Sequence, residues 1–182
     1  NGCTTGTAIA LMVENQNTRS ADYAKTADLL RPGHADYTAY AKYHGFQDAR
    51  GGGHFSGRVT AALVAGGAVV LGALSRAGID ISTHIAACAG ISDTRFALDD
   101  AAALAAQVEA LADKPEGFAV LDPAVEEPMK AAIRAAGADG DSVGGLLETA
   151  ILGLPAGIGE PYFDSVESKI AHQVGGQAVL GR

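Results

Sequence analysis

The pattern of apolar residues in the first half of the chain predicts one strand and two helices. Residues 8–13 form a short, uninterrupted apolar run, which is typical of a buried strand. Tyrosines spaced three residues apart lie along one side of a helix predicted for residues 34–44. The longest apolar-periodic segment, residues 58–76, follows Ser56 as a helix cap and stops before Gly78. We expect this segment to form a buried, central helix.

In the second half, strands and helices are predicted without regular alternation. Apolar and polar residues alternate over 79–87, which predicts a half-buried strand with Ile81 on its apolar face and His84 on its polar face. The other predicted elements are a helix capped by Asp99 or Asp100 and ending near residue 112, a strand over 118–121, a helix from Asp122 to about 136 stopped by Gly137, a strand over 143–154 and a helix over 164–172. Because βαβ units require alternation, we predict an α+β fold with sheets on a helical layer, in a single domain over residues 1–182.

Length and composition exclude several classes of protein. A chain of 182 residues with 48% hydrophobic residues has enough apolar material for one core, which excludes general disorder. Its two cysteines, Cys3 and Cys88, cannot build a disulfide framework or a four-thiolate zinc site, and we expect reduced thiols in the cytoplasm. No two histidines have metal-pair spacing, so no metal is predicted. The apolar run over 61–74 is shorter than the roughly 18–20 residues that cross a bilayer, and residues 1–7 do not have a signal-peptide pattern.

Charge is distributed unevenly along the chain. The 13 Lys and Arg against 21 Asp and Glu give a net charge of −8, which argues against a generic nucleic-acid binder. Residues 31–58 nevertheless carry four of the cations against two aspartates. The same segment holds three of the five histidines, His34, His44 and His54. An acidic protein with one basic, glycine-rich segment predicts a focused site for a small anion.

The triglycine bend, residues 51–53, is the sharpest feature of this segment. Glycines let backbone N–H groups approach an anion, and a helix start after Ser56 would add its own N–H groups. A Walker A loop is disfavoured because Arg58 replaces the lysine and Val59 the Ser/Thr. The simpler alternative is a flexible loop that leads into a structural helix.

Two side chains after the first Pro-Gly turn are candidates for chemistry. His34 lies two residues before Asp36, so it can act as a general acid whose orientation a carboxylate holds. Arg31 can clamp a phosphate or carboxylate. The alternatives are a histidine at a surface turn and a solvated arginine, and both stay open at this point.

Several motifs, in order and spacing, resemble the chorismate synthase family. They are Thr4-Thr5-Gly6-Thr7, Arg31-Pro32-Gly33-His34-Ala35-Asp36, Lys42-Tyr43, Gly51 through Arg58, Asp141-Ser142-Val143-Gly144-Gly145 with Glu148, and Leu154-Pro155-Ala156-Gly157-Ile158-Gly159-Glu160-Pro161. The resemblance implies a lyase of the shikimate pathway of aromatic amino acid biosynthesis. Its reaction is the anti-1,4-elimination of phosphate from 5-enolpyruvylshikimate 3-phosphate to give chorismate, with reduced FMN as cofactor.

The resemblance also implies roles for individual residues. His34 corresponds to one of the family's two active-site histidines and is the expected catalytic residue. Arg31 and Arg58 are expected to bind substrate, and His54, Phe55 and Ser56 correspond to the FMN-contacting stretch. The family fold is a pair of antiparallel sheets sandwiching a helical core, assembled as a cytoplasmic homotetramer without nucleic-acid or membrane partners.

The sequence departs from the family pattern in length and in one motif. Family members are about twice as long, and the Gly-Glu-Ser-His motif with the second histidine is not found in this sequence. The expectation is therefore an internal part of a chorismate synthase. The alternative is a catalytically inert core that binds only FMN or phosphate.

Overall fold

The computed structural model describes residues 3–16, 19–112 and 117–178. Contacts within the chain group into two compact units, Asn1–Val70 with Ala156–Arg182, and Leu71–Pro155. Helices and one antiparallel sheet give the α+β class predicted from the sequence. The single domain and the two-sheet sandwich stay predictions, since the described residues contain one sheet.

The first unit is built from helices and short turns. Its elements are helices α1 (Ser20–Tyr23), α2 (Asp36–Tyr43), the start of α3 (Thr60–Arg76) and α6 (Val166–Ala178), with 3-10 turns at Arg50–Phe55 and Gly57–Val59. The predicted strand over 8–13 is wrong, because these residues form no ladder and the side chains of Ile9 and Met12 are exposed. An apolar run becomes a strand only where a second strand pairs with it.

Helix α2 confirms the helix predicted from the tyrosine spacing. Ala39 is its buried residue, at 2% exposure. The helix ends where His44 and Gly45 both adopt left-handed backbone angles, with φ of 53° and 82°. The N–H of Gly45 then donates to the carbonyl of Tyr40 at 3.1 Å, which satisfies the helix end and turns the chain back toward the triglycine bend.

Helix α3 forms where the apolar period predicts it, but the expectation that it is buried is wrong. None of its residues is buried, and Val64 is 70% exposed. The Ser56 side chain makes no capping bond, whereas the hydroxyl of Thr60 donates to the carbonyl of Gly57 at 2.6 Å. Gly78 follows as predicted, at φ 79°. The periodic pattern identifies which positions of the helix are apolar, but it does not show which other residues, if any, pack against them.

The segment Gly57–Arg76 is long and apolar enough to cross a membrane by length and composition alone, with a mean hydropathy of 1.7. Core helices of soluble proteins can have the same length and composition, so one such helix is only weak evidence for a membrane span.

The second unit contains a three-stranded antiparallel sheet in the order β2–β1–β3. The strands are β1 (Asp80–Cys88), β2 (Ile91–Ser92) and β3 (Gly145–Leu152). Ala89 and Gly90 join β1 to β2 with φ of 52° and 80°, the pair of positive angles that a tight hairpin turn requires. The predicted strands over 79–87 and 143–154 are confirmed, whereas residues 118–121 form no strand.

Two helices accompany the sheet within this unit, α4 (Ala101–Ala112) and α5 (Glu126–Ala138), the latter preceded by a 3-10 turn at Pro123–Val125. The carboxylate of Asp100 accepts the N–H groups of the first turn of α4, and Asp122 accepts that of Ala124, as their positions predict. Helix α5 continues one residue past Gly137, where the sequence predicts its end. Two apolar clusters form the core: Phe96, Val108, Leu111 and Ala150, and Cys88, Val120 and Met129.

The faces of β1 are the reverse of those predicted. His84, Ala86 and Cys88 are buried, while Ile81 is 39% exposed. The prediction placed His84 on the polar face of the strand because it alternates with the isoleucines. It is buried because two carboxylates from distant parts of the chain surround its ring.

His84 is held between Asp93 and Glu148. Its Nδ1 donates to Asp93 Oδ2 at 2.8 Å and its Nε2 to Glu148 Oε2 at 3.0 Å. Burial alone would raise the pKa of each carboxyl group, but hydrogen bonds from backbone N–H groups and from His84 outweigh burial and lower both pKa values. Since an ionised carboxylate only accepts hydrogen bonds, both ring nitrogens must donate in this geometry, an arrangement that only the imidazolium form of His84 satisfies.

Candidate active site

The candidate site lies entirely in the first unit, where the turn before α2 meets the triglycine bend. Gly33, at φ 75°, closes the turn, and the N–H of His34 donates to the carbonyl of Arg31 at 3.3 Å. This turn places Arg31, His34 and Asp36 side by side at the start of α2. The rigid Pro-Gly pair and the helix start are local signals, so the sequence determines this part of the geometry directly.

Asp36 joins the two candidate side chains that precede it. Its Oδ2 accepts from Arg31 Nε at 2.8 Å and from the Arg31 backbone N–H at 3.0 Å, and its Oδ1 accepts from Arg31 Nη2 at 2.9 Å. The Arg31 guanidinium holds the pKa of Asp36 well below its usual range, against a smaller opposing effect of burial. Asp36 is therefore ionised and fixes the guanidinium plane.

The same carboxylate orients His34. The distance from His34 Nδ1 to Asp36 Oδ1 is 2.6 Å, which places the Nδ1 proton in that bond. The opposite nitrogen, Nε2, faces Gly52 so closely that a Cβ there would lie 2.9 Å away. Arg31 Nη2 would lie 3.6 Å from the same Cβ. The imidazole and one guanidinium thus meet at Gly52.

The triglycine bend has left-handed backbone angles at all three positions, with φ of 60°, 93° and 52°. The 3-10 turn at Arg50–Phe55 includes the bend, but the backbone angles of its three glycines are not helical, so no regular helix forms through it, as predicted. A Cβ at Gly51 would lie 2.6 Å from Arg58 Nη2, and one at Gly53 would lie 2.6 Å from the carbonyl oxygen of Asp48. Both the backbone angles and the neighbours therefore require glycine here.

The electrostatics of the bend differ from the simple count of cations. Asp48 accepts from Arg50 Nε at 2.8 Å and from Nη2 at 3.0 Å, and this pairing lowers the pKa of Asp48 to about 2. Arg31 is paired with Asp36 in the same way. Within the described residues, the one hydrogen bond of Arg58 is to the Gly51 carbonyl, at 3.5 Å, and its charge also contributes to the lowered pKa of Asp48. The positive charge available to an anion at the bend comes chiefly from Arg58.

Three rings lie at the end of the bend. The centroids of His54 and Phe55 are 4.3 Å apart, and those of Tyr43 and Phe55 are 6.1 Å apart. Ser56 follows in an extended conformation, and its N–H donates to the carbonyl of Gly53 at 3.3 Å. The residues that the family resemblance predicts to contact FMN, His54, Phe55 and Ser56, therefore follow directly after the bend.

A cavity of about 380 Å³ lies in the same unit, within the roughly 300–1,000 Å³ range of small-molecule sites, but His34, His54 and Arg58 do not line it. Arg31, Asp36, Gly52 and Phe55 line it together with Gln47. The Gln47 Oε1 atom is buried and has no hydrogen-bond partner in the described part of the chain.

The structure brings Arg31 and His34 together at Gly52 and places Arg58 at the neighbouring Gly51. Sequence reasoning did not identify the Asp48–Arg50 pair, and it included Tyr43 in a family motif without assigning it a role in the site. The i, i+2 spacing of Asp48 and Arg50 could have indicated their pairing, but no local pattern indicates the contact between Tyr43 and His54, which are eleven residues apart. Among the described residues, no group of three or more His, Cys, Asp or Glu side chains is arranged to hold a metal ion.

The fold and the site define an α+β protein with an imidazole and guanidinium groups gathered at a left-handed glycine bend. A family model described as chorismate synthase matches residues 1–181. Relatives named chorismate synthase from Chitinophaga pinensis and Desulfovibrio desulfuricans are 42% and 39% identical over 96% and 95% of this chain. One from Korarchaeum cryptofilum is 39% identical over 94%. The chain belongs to the chorismate synthase family.

The chain spans less than half the length of these relatives. The matched regions make up 42%, 45% and 45% of the three relatives, respectively.

Proposed function

We propose that this chain carries the phosphate-binding half of a chorismate synthase site. The reaction is the anti-1,4-elimination of phosphate from 5-enolpyruvylshikimate 3-phosphate, giving chorismate in the shikimate pathway. The observation that carries the proposal is the convergence of His34 Nε2 and Arg31 Nη2 on Gly52, beside Arg58 at Gly51. A leaving phosphate needs positive, preorganised donors at the point where its charge develops.

Arg31 and Arg58 have different parts in this proposal. Arg31 uses Nε and one hydrogen of Nη2 to hold Asp36, so the edge formed by Nη1 and the second Nη2 hydrogen is what it can offer to a phosphate or carboxylate oxygen. Arg58 is exposed and not paired with a carboxylate among the described residues, so its whole guanidinium can turn toward a ligand. Arg58 is therefore the principal phosphate ligand, and Arg31 a fixed secondary one.

His34 is suited to exchange a proton at Nε2. Asp36 holds the Nδ1 proton, and a carboxylate in this position stabilises an imidazolium when Nε2 takes up a second proton. Because Gly52 has no side chain, its backbone can approach Nε2 without a clash. In this proposal His34 holds or moves one proton at Nε2 while the substrate loses one.

The residues at the bend also fit reduced FMN. The three glycines let the His34 and Arg58 side chains approach the backbone of the bend closely, and the adjacent His54 and Phe55 rings, tilted by 34° with centroids 4.3 Å apart, offer an aromatic surface. His54, Phe55 and Ser56 would hold the cofactor in this assignment. When bound, reduced FMN supplies electron density that assists cleavage of the C–O bond.

The proposal is tested by following chorismate formation anaerobically with substrate and chemically reduced FMN. We expect Gly52→Ala to weaken binding of FMN or substrate at least tenfold, because its Cβ would meet His34 and Arg31. Gly57→Ala is the matched control, since a Cβ there has nothing within 4 Å. Fluorescence titration of FMN against wild type and Arg58→Ala measures the anion site separately, and equal affinity in both would refute it.

A second candidate is an inert core that binds FMN or phosphate without turnover. It is favoured by the chain covering 42–45% of its first three relatives. Binding that depends on Arg58, without chorismate formation, would support this candidate. Cytoplasmic location and a homotetrameric assembly remain proposals carried by the family resemblance.

A further inference from the structure

Tyr43 is the last residue of α2, and its side chain reaches the end of the triglycine bend. The hydroxyl of Tyr43 lies 3.3 Å from His54 Nε2, and the two rings meet edge to face with centroids 5.3 Å apart. Phe55 also packs against His54, with ring centroids 4.3 Å apart. The imidazole is therefore held by one polar and two aromatic contacts although it is exposed.

The bond to Tyr43 determines which nitrogen of His54 carries the proton. A phenol is a stronger acid than a neutral imidazole, so the hydroxyl donates and Nε2 accepts. The proton of the neutral ring then resides on Nδ1. Within the described residues, Nδ1 of His54 has no hydrogen-bond partner, so this N–H is available to a ligand.

We propose that Tyr43 is a positioning residue that fixes the Nδ1–H tautomer of His54, so that this N–H becomes a directed donor at the edge of the triglycine bend. The ligand atom that it fits is an oxygen acceptor, such as a phosphate or carbonyl oxygen. The inference rests on the proposed function for the identity of that ligand, FMN or the substrate. The tautomer itself is a property of the chain without ligand.

The first experiment measures the tautomer by long-range ¹H–¹⁵N correlation spectra of the uniformly ¹⁵N-labelled 182-residue chain at a pH where His54 is neutral. His54→Gln assigns the signal by its disappearance. We expect Nδ1–H in wild type and a return toward the Nε2–H form, the commoner one in free histidine, in Tyr43→Phe. This variant keeps the ring and its packing. Tyr37→Phe, an exposed tyrosine of the same helix, is the control and should leave His54 unchanged.

The second experiment titrates FMN into the same variants. We expect Tyr43→Phe to weaken binding about three- to tenfold and Tyr37→Phe to leave it unchanged. An Nε2–H tautomer in wild type, or one that Tyr43→Phe does not alter, would overturn the inference. If the tautomer follows Tyr43 but wild type binds no FMN, the positioning role stands and the FMN part of the proposed function fails.

Discussion

Replacing Asp93 by asparagine tests the charged cluster around His84 most directly. The Asp93 side chain is 0% exposed, and its carboxylate accepts from His84 Nδ1 at 2.8 Å, Leu121 N at 2.7 Å and Asp122 N at 2.8 Å. Asparagine keeps the shape of the side chain, but one of its two terminal atoms is a donor. That amide nitrogen must face at least one of these N–H groups, and the charge opposite the imidazolium is lost.

The expected cost follows from these contacts. A hydrogen bond to a charged group contributes about 1.5–3 kcal/mol, and removing one partner of a buried ion pair costs about 3–5 kcal/mol. Asp93→Asn loses at least one bond and leaves His84 with a single carboxylate, Glu148, which is 21% exposed. We therefore expect the free energy of unfolding to fall by about 3–5 kcal/mol, a large part of the stability of a typical domain.

Urea denaturation followed by circular dichroism at neutral pH measures this change. Asp99→Asn is the control, because Asp99 is exposed in the same unit, and its change should be within about 0.5 kcal/mol. If the two variants differ by less than about 1 kcal/mol, the charged-cluster argument is refuted. In that case His84 would be a neutral ring whose burial depends on packing alone.

Three further outcomes follow from the same kinds of contact. The pKa values of the two carboxylates beside His84 are lowered in the folded protein, so their contribution to stability is present above about pH 4 and is lost as the pH falls through these folded-state pKa values. Asp93→Asn should therefore flatten the acid limb of a stability–pH curve. Gly153→Ala should lower the free energy of unfolding by more than about 2 kcal/mol in urea denaturation, since the φ of Gly153 is 73° and a Cβ there would lie 1.9 Å from the Gly78 carbonyl oxygen. Gly144→Ala is the control and should lower it far less, because a Cβ there has nothing within 4 Å. Asp36→Asn should cost about 1–2 kcal/mol by the same assay.

Features that depend on neighbouring residues could be predicted from the sequence. The end of α2 near Gly45, the stop at Gly78 and the caps at Asp100 and Asp122 follow from the conformational preferences of one or two residues. The turn that gathers Arg31, His34 and Asp36 is of the same kind. Such signals act within about five positions, so the composition of the turn is sufficient to predict it.

Features that depend on distant residues could not be predicted in this way. His84 is buried because Asp93 and Glu148, nine and 64 residues away, both contact its ring. Nothing in the alternating pattern of β1 indicates these partners, and the pattern by itself favours burial of the opposite face, which carries Ile81. Which face of the strand is buried depends on the cost of burying a charged group without its partner, and a pattern of apolar residues does not include that cost.

The exposed helix α3 and the absent strand over 8–13 have a common explanation. Both segments have the apolar pattern of buried elements, yet Ile9 is 55% exposed and Val64 is 70% exposed. An apolar pattern states that a segment needs cover or a pairing strand, and does not identify which residues provide it. The relatives contain as much sequence again beyond the matched region, and the described residues of this chain do not cover either segment.

The same distinction applies to the site. Counting residues predicts a basic segment with four cations, but Asp36 and Asp48 bind two of the guanidinium groups in bidentate pairs. An anion at the triglycine bend would therefore be attracted mainly by Arg58 and by the His34 imidazole that Asp36 holds in place, rather than by a general positive field. A fixed orientation of a few donors favours selective stabilisation of charge that develops during a reaction over tight binding of any anion.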